Sequence, residues 1–300
     1  MLLRRSIFRR AVLACSVLAS FILLSSLPGY AGQKSPSGYS AIYVFGDSYC
    51  DVGNVYAATL GTIPLSPPYY QGRFSNGPIW VEHVAGSLGL PILPSLAGGT
   101  DYAVGGAWVT APQVTPQGTI PSVPQQVALY LSQHGGKADP RALYVIEGGG
   151  NDILGATSGS PQRLGFQIAT GIAETELLLR RAGAKRFLIP NLVDIGQLPS
   201  AAANKSFATA AALATNKYLD QLLGIEDWLE GIRIQRLDVF TLFQAIAAAP
   251  THFGFTNITT PCLTTVVCAD PDHTFFWDAV HPTEFGHAFI AVTAESVLNH

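Results

Sequence analysis

The sequence predicts one α/β domain, a three-layer α/β/α sandwich around a mostly parallel central sheet. Three observations predict it. Four short segments, residues 42–45, 143–146, 186–190 and 232–239, are rich in β-branched, aromatic and other apolar residues, the pattern of strands buried on both faces. Helical patterns lie between them, and strand–helix alternation implies parallel pairing. Two polar motifs, Gly46-Asp47-Ser48 and Gly148-Gly149-Gly150-Asn151-Asp152, closely follow two of the strands. In such sheets ligands bind at the carboxyl ends of the strands, so both motifs are expected on one edge.

From the N-terminus, Arg4, Arg5, Arg9 and Arg10 precede an apolar run over residues 11–27, and Gly29-Tyr30-Ala31 offers small residues at a cleavage site before Gly32. That is the layout of a secretory signal peptide. The expected organisation is therefore a signal peptide over 1–31 and a single domain over 32–300, exported to the periplasm or the medium. An uncleaved anchor is the alternative, because the run approaches the length of about 20 residues that spans a bilayer. Internal serines and the cleavage site favour removal, which leaves no integral membrane segment. Residues 32–40 read as a lead-in to the first strand. Helices are predicted over 79–88, 123–133, 162–181, 206–229 and from 283 to about 298. Residues 60–78, 89–122 and 250–277 read as neither helix nor strand; loops this long in a compact domain usually shape binding sites.

The 300 residues carry 17 Lys and Arg against 20 Asp and Glu. Without the four N-terminal arginines, 13 basic residues face 20 acidic ones, a formal charge of −7. That balance argues against nucleic acid as a partner and against simple attraction to anionic membranes. Of the cysteines beyond residue 31, Cys262 and Cys268 share a Pro- and Thr-rich loop suited to a small disulfide ring in an exported chain. Cys50 reads as a small buried apolar residue.

Ser48 at a strand tip, followed late in the chain by Asp278-Ala279-Val280-His281, supplies the parts of a nucleophilic hydrolase, since Ser, His and Asp must meet in space but occur in any chain order. Each part has a plainer reading. Gly-Asp-Ser occurs in ordinary turns and N-caps, and Asp270, Asp272, His273, Asp278, His281 and His287 offer ligand types for a metal-dependent hydrolase. A non-catalytic binding protein on the same scaffold is a third class.

Further motifs separate these readings. Phe45 to Asn54 (Phe-Gly-Asp-Ser-Tyr-Cys-Asp-Val-Gly-Asn), Gly72-Arg73-Phe74-Ser75-Asn76-Gly77, Asp101-Tyr102-Ala103-Val104-Gly105-Gly106-Ala107, Gly149-Gly150-Asn151-Asp152 and Asp278-Ala279-Val280-His281-Pro282-Thr283 occur in this order. In these motifs the chain resembles the GDSL esterase/lipase family, also called SGNH hydrolases, and in particular its plant-like and secreted bacterial branch. Tyr49 stands where the family usually has Leu, and Asp101 where it often has Asn.

The resemblance implies a serine esterase that needs no cofactor or metal. Ser48 is the expected nucleophile, His281 the base and Asp278 its orienting acid. The oxyanion donors implied are the Ser48 N–H, the Gly106 N–H and the Asn151 side chain, with Gly105 as the alternative glycine. Asp47, Asp51, Asn54, Asp152, His83 and His287 are read as structural neighbours. The expected substrate is a small-molecule or lipid ester with an apolar arm, and phospholipase or acyltransferase chemistry is the alternative on the same site. Tyr69, Tyr70, Phe74, Trp80 and Trp108 either line an acyl site or pack the core. The acidic surface and the lack of an evident lid helix favour short- or medium-chain esters.

Overall fold

The computed structural model describes residues 38–156, 158–224 and 231–299. The signal peptide expected over 1–31 lies outside them, as does the end of the helix expected over 206–229. In chain order the elements are β1 (Ile42–Phe45), α1 (Asn54–Ala58), α2 (Trp80–Ser87), β2 (Gln113–Thr115), β3 (Gly118–Ile120), α3 (Val123–Gln133), β4 (Leu143–Ile146), α4 (Gly150–Gly155), α5 (Pro161–Arg181), β5 (Arg186–Pro190), α6 (Lys205–Gly224), β6 (Arg233–Leu237), α7 (Val239–Ala248) and α8 (Glu284–Leu298).

The main sheet runs β1-β4-β5-β6 with every pair parallel; Ile42 lies opposite Leu143, Tyr144 opposite Phe187 and Arg186 opposite Arg233. Helices on both faces explain why β4 is buried at every position and β5 at four of five. One helix layer holds α3, α5 and α6, with α3 against β1 and α5 against β4; the other holds α2, α7 and α8, with α8 against β6. This is the predicted three-layer α/β architecture.

The layer of α5 and α6 follows from residue spacing. Gly165, Ile168, Ala169, Ile172, Thr175, Glu176 and Leu179 recur every three or four positions and form the buried stripe of α5. It faces a small-residue stripe on α6 that includes Ala208, Ala211, Ala212 and Thr215. Gly165 is required at the contact, because a Cβ there would sit 2.6 Å from the Thr215 backbone nitrogen.

Two expectations are corrected. The fourth strand, predicted to reach residue 239, ends at Leu237, because the Asp238 carboxylate accepts the Thr241 N–H at 3.0 Å and so caps α7, which begins at Val239. The stretch 89–122, predicted to hold neither helix nor strand, contains the antiparallel hairpin of β2 and β3 and a parallel bridge from Asp101 to Val44 at the β1 edge.

Candidate active site

The chain turns sharply after β1, and Gln126 of α3 holds the turn: its side chain accepts the Gly46 N–H at 2.9 Å and donates to the Gly46 carbonyl at 2.8 Å. Ser48 follows in that turn, 6 % exposed. His281 arrives from the far end of the chain, just before α8, whose start is capped by Thr283. Its Nε2 lies 2.7 Å from Ser48 Oγ, and its Nδ1 lies 2.7 Å and 2.9 Å from the two Asp278 oxygens. An ionised carboxylate only accepts, so Nδ1 carries the proton and Nε2 is left to accept from the serine hydroxyl.

Asp278 is held in turn. Its Oδ1 accepts the backbone N–H groups of Val280 and His281, each at 2.8 Å, and Tyr69 donates its hydroxyl to Oδ2 at 2.7 Å. Burial pushes the Asp278 carboxyl upward, but the hydrogen bond and charge of His281 and these backbone donors outweigh it and hold the group at about 2. Asp278 is therefore ionised at neutral pH. The segment 72–77 clamps the same region: Ser75 Oγ donates to the Pro282 carbonyl at 2.9 Å, and Asn76 Oδ1 accepts the Glu284 N–H at 2.7 Å. The Phe74 ring lies 5.2 Å from the His281 ring, centroid to centroid.

Three donors flank Ser48. Its own N–H and that of Gly106 have no hydrogen-bond partner among the described residues. Gly106 has φ +81°, a left-handed conformation that glycine adopts without strain. The N–H of Gly105, the alternative, is taken by Asp51 Oδ2 at 2.9 Å. The Asn151 amide donates to Asp47 Oδ2 at 3.0 Å and, more weakly, to the Ala107 carbonyl at 3.2 Å.

The neighbours read as structural do hold the site's loops. Asp51 accepts N–H groups of residues 53–55, and Asp152 accepts those of Val109 and Thr110. The Asn54 side chain donates to the Asp101 and Ala103 carbonyls, both at 2.9 Å, and ties the first motif to the second. Arg73 pairs with Glu82 of α2 at 2.6 Å. Cys262 and Cys268 are joined by a disulfide, and Cys50 is a buried free thiol. The residues considered as metal ligands do not converge. His273 pairs with Asp270 at 2.8 Å on the surface, His281 pairs with Asp278, and His287 is buried with neither ring nitrogen hydrogen-bonded.

Residues 42–292 match the family described as GDSL-like Lipase/Acylhydrolase. The chain belongs to this family. Among curated relatives, a thermolabile hemolysin of Vibrio parahaemolyticus is 26 % identical over 285 residues, which cover 85 % of this chain and 63 % of the hemolysin, less than two thirds of its length. A phosphatidylcholine-sterol acyltransferase of Aeromonas hydrophila is 30 % identical over 249 residues, covering 81 % of this chain and 71 % of the relative. Among solved structures, a carbohydrate acetylesterase from Sinorhizobium meliloti gives a TM-score of 0.49 at 14 % identity, over 86 % of this chain and 98 % of that one.

Two features of this GDSL-family site escaped the sequence. Tyr69 was legible only as a loop aromatic, yet it binds Asp278 across 209 positions. Glu147 follows β4 and its carboxylate accepts the Asp47 N–H at 3.3 Å. Burial raises the Asp47 carboxyl; burial, together with the Asp47 charge, pushes Glu147 well above the ordinary carboxylate range. Asp47 Oδ2 is the acceptor that holds Asn151. A lone acid ending an apolar strand was the available signal for Glu147. Two cavities flank the site. One of about 50 Å³ is lined by Ser48, Asn151, Leu154, Leu192 and Ile195, among others. One of about 490 Å³ begins at Gly105, Gly106 and Phe74 and extends under the β2–β3 hairpin.

Proposed function

We propose that this chain is an exported carboxylic ester hydrolase that works through a Ser48–His281–Asp278 triad and an acyl-enzyme. The observation that carries the reading is the continuous hydrogen-bonded line from Ser48 Oγ through His281 to Asp278, at 2.7 Å on each side of the imidazole. Ser48 Oγ attacks the ester carbonyl while His281 Nε2 takes its proton, and the imidazolium returns that proton to the departing alkoxide. Asp278 fixes the tautomer and stabilises the positive ring. The tetrahedral oxyanion accepts from the Ser48 and Gly106 N–H groups, both free to donate, and from Asn151 Nδ2, which exchanges its weaker bond to Ala107 for the charged oxygen. Water activated by His281 then attacks the acyl-enzyme and restores the serine.

Residues 1–31 are proposed as the export signal and residues 32–300 as the single catalytic domain; the arginine-led apolar run and its cleavage site support this. A second reading, transfer of the acyl group to an alcohol other than water, uses the same steps with a different final acceptor. The relation to the Aeromonas hydrophila acyltransferase supports it.

The test treats wild type and Ser48→Ala with a fluorophosphonate and assays both on p-nitrophenyl acetate, with and without chelator. Labelling and turnover in wild type alone are expected, unaffected by chelator. Equal turnover in the variant overturns the triad, and loss of turnover on chelation points to a metal site instead. Adding a long-chain alcohol and recovering its ester separates transfer from hydrolysis.

A further inference from the structure

Resting on the serine-esterase reading, we infer that the 490 Å³ groove beyond Gly106 takes a long hydrocarbon chain carried by the ester substrate. The groove borders the candidate active site: its wall includes Gly105, Gly106 and Phe74, whose ring lies against His281. Val55, Ile63, Val104, Ile120 and Leu129 continue it, and no charged residue lines it. Its polar side chains are largely spent on the protein. Gln126 holds both backbone groups of Gly46, Asn54 holds the Asp101 and Ala103 carbonyls, and Thr59 and Thr115 donate to the Val55 and Gly118 carbonyls. A sugar or a charged headgroup would meet few free partners there, whereas a hydrocarbon chain needs none.

Segments that border the groove also carry exposed apolar side chains: Leu60 is 92 % exposed, Leu65 66 %, Leu96 62 % and Val114 85 %. An apolar mouth on an apolar groove fits a chain drawn from a lipid phase. At about 30 Å³ per methylene-sized unit, close to the volume of a water, the groove has room for roughly a dozen carbons or more. This revises the expectation of short- or medium-chain esters, which rested on surface charge and the missing lid. The chain belongs to either the acid or the alcohol of the ester, and substrate series separate the two.

The test measures kcat/KM for p-nitrophenyl esters from acetate to palmitate and for alkyl acetates from methyl to dodecyl. Wild type is compared with Ala58→Trp and Leu129→Glu, both at exposed groove-lining positions. In one series each added methylene should raise wild-type kcat/KM about three- to fourfold until the groove is full. Both variants should lower the long-to-short ratio at least tenfold, in line with several lost methylenes, with thermal unfolding unchanged. A rise in the first series assigns the chain to the acid, and in the second to the alcohol. Flat profiles in an enzyme that turns over acetate overturn the inference and leave the esterase reading intact, as does a long-chain preference that neither variant alters. If no ester is turned over and no serine is labelled, the esterase reading fails. Binding of dansyl-undecanoic acid then decides the groove: saturable binding lost in Ala58→Trp supports it, and no binding overturns it.

Discussion

His287 should make this protein acid-labile by a calculable amount. The residue lies on α8, 1 % exposed, with neither ring nitrogen hydrogen-bonded among the described residues and the Tyr49 ring 5.9 Å away. Burial, and then the nearby charges of His281 and His83, push its pKa from 6.5 down to about 3. The unfolded chain therefore binds this proton more readily than the folded one. The stability contributed by the neutral ring is complete above pH 6.5 and is lost as pH falls from 6.5 toward 3. Each unit costs about 1.4 kcal/mol, so about 2 kcal/mol has gone by pH 5. That figure does not depend on the folded value so long as it lies well below 5. His287→Leu removes the titration. Urea unfolding at pH 7 and pH 5 should show wild type losing about 2 kcal/mol more than the variant between the two. A variant destabilised by repacking shifts equally at both pH values, so the comparison survives it. Parallel losses in the two proteins would refute the buried neutral histidine.

Two further predictions concern the oxyanion side. Asn151→Ala should lower kcat roughly 10²- to 10³-fold, the usual cost of one such donor, with little change in thermal midpoint; loss of less than about fivefold would remove Asn151 from the oxyanion site. Glu147→Gln should keep most of the activity, because the amide oxygen still accepts the Asp47 N–H. Since the folded pKa of Glu147 is raised, its stabilising protonated form is present below the unfolded value of 4.5 and is lost as pH rises toward the folded value. Thermal melts at pH 5 and pH 8 should therefore show the variant gaining on wild type at the higher pH, and an unchanged gap would mean that Glu147 is ionised throughout.

The legible parts of the site were those written in consecutive residues. Ser48 and the Asp278–His281 pair each sit in a short motif, and the chemistry of Ser, His and Asp limits what such motifs do. The strands of the sheet were legible because strands buried on both faces must be apolar at nearly every position. Which of the Gly105 and Gly106 N–H groups is free was not, because Asp51, 54 positions away, takes one and leaves the other. Tyr69 and Glu147 escaped for the same reason: each acts on a partner about a hundred positions away or more, and no local pattern encodes the pairing. The end of β6 was misplaced because Val239 suits a strand as well as a helix, and the Asp238 cap decides between them.

Ser48 and His281 are 233 positions apart, and the segment that clamps the Pro282 carbonyl and the start of α8 comes from residues 75 and 76. The proposed triad therefore forms only when these distant segments have met. A polypeptide that has ordered its first strands but not yet docked α8 has the proposed nucleophile without its proposed base. Under the proposed mechanism, turnover recovered during refolding reports the closing of that long-range contact, and any species that lacks it is silent in the same assay. For an enzyme whose proposed substrates are esters, some of them lipids, hydrolysis through this triad waits on the segment that carries His281.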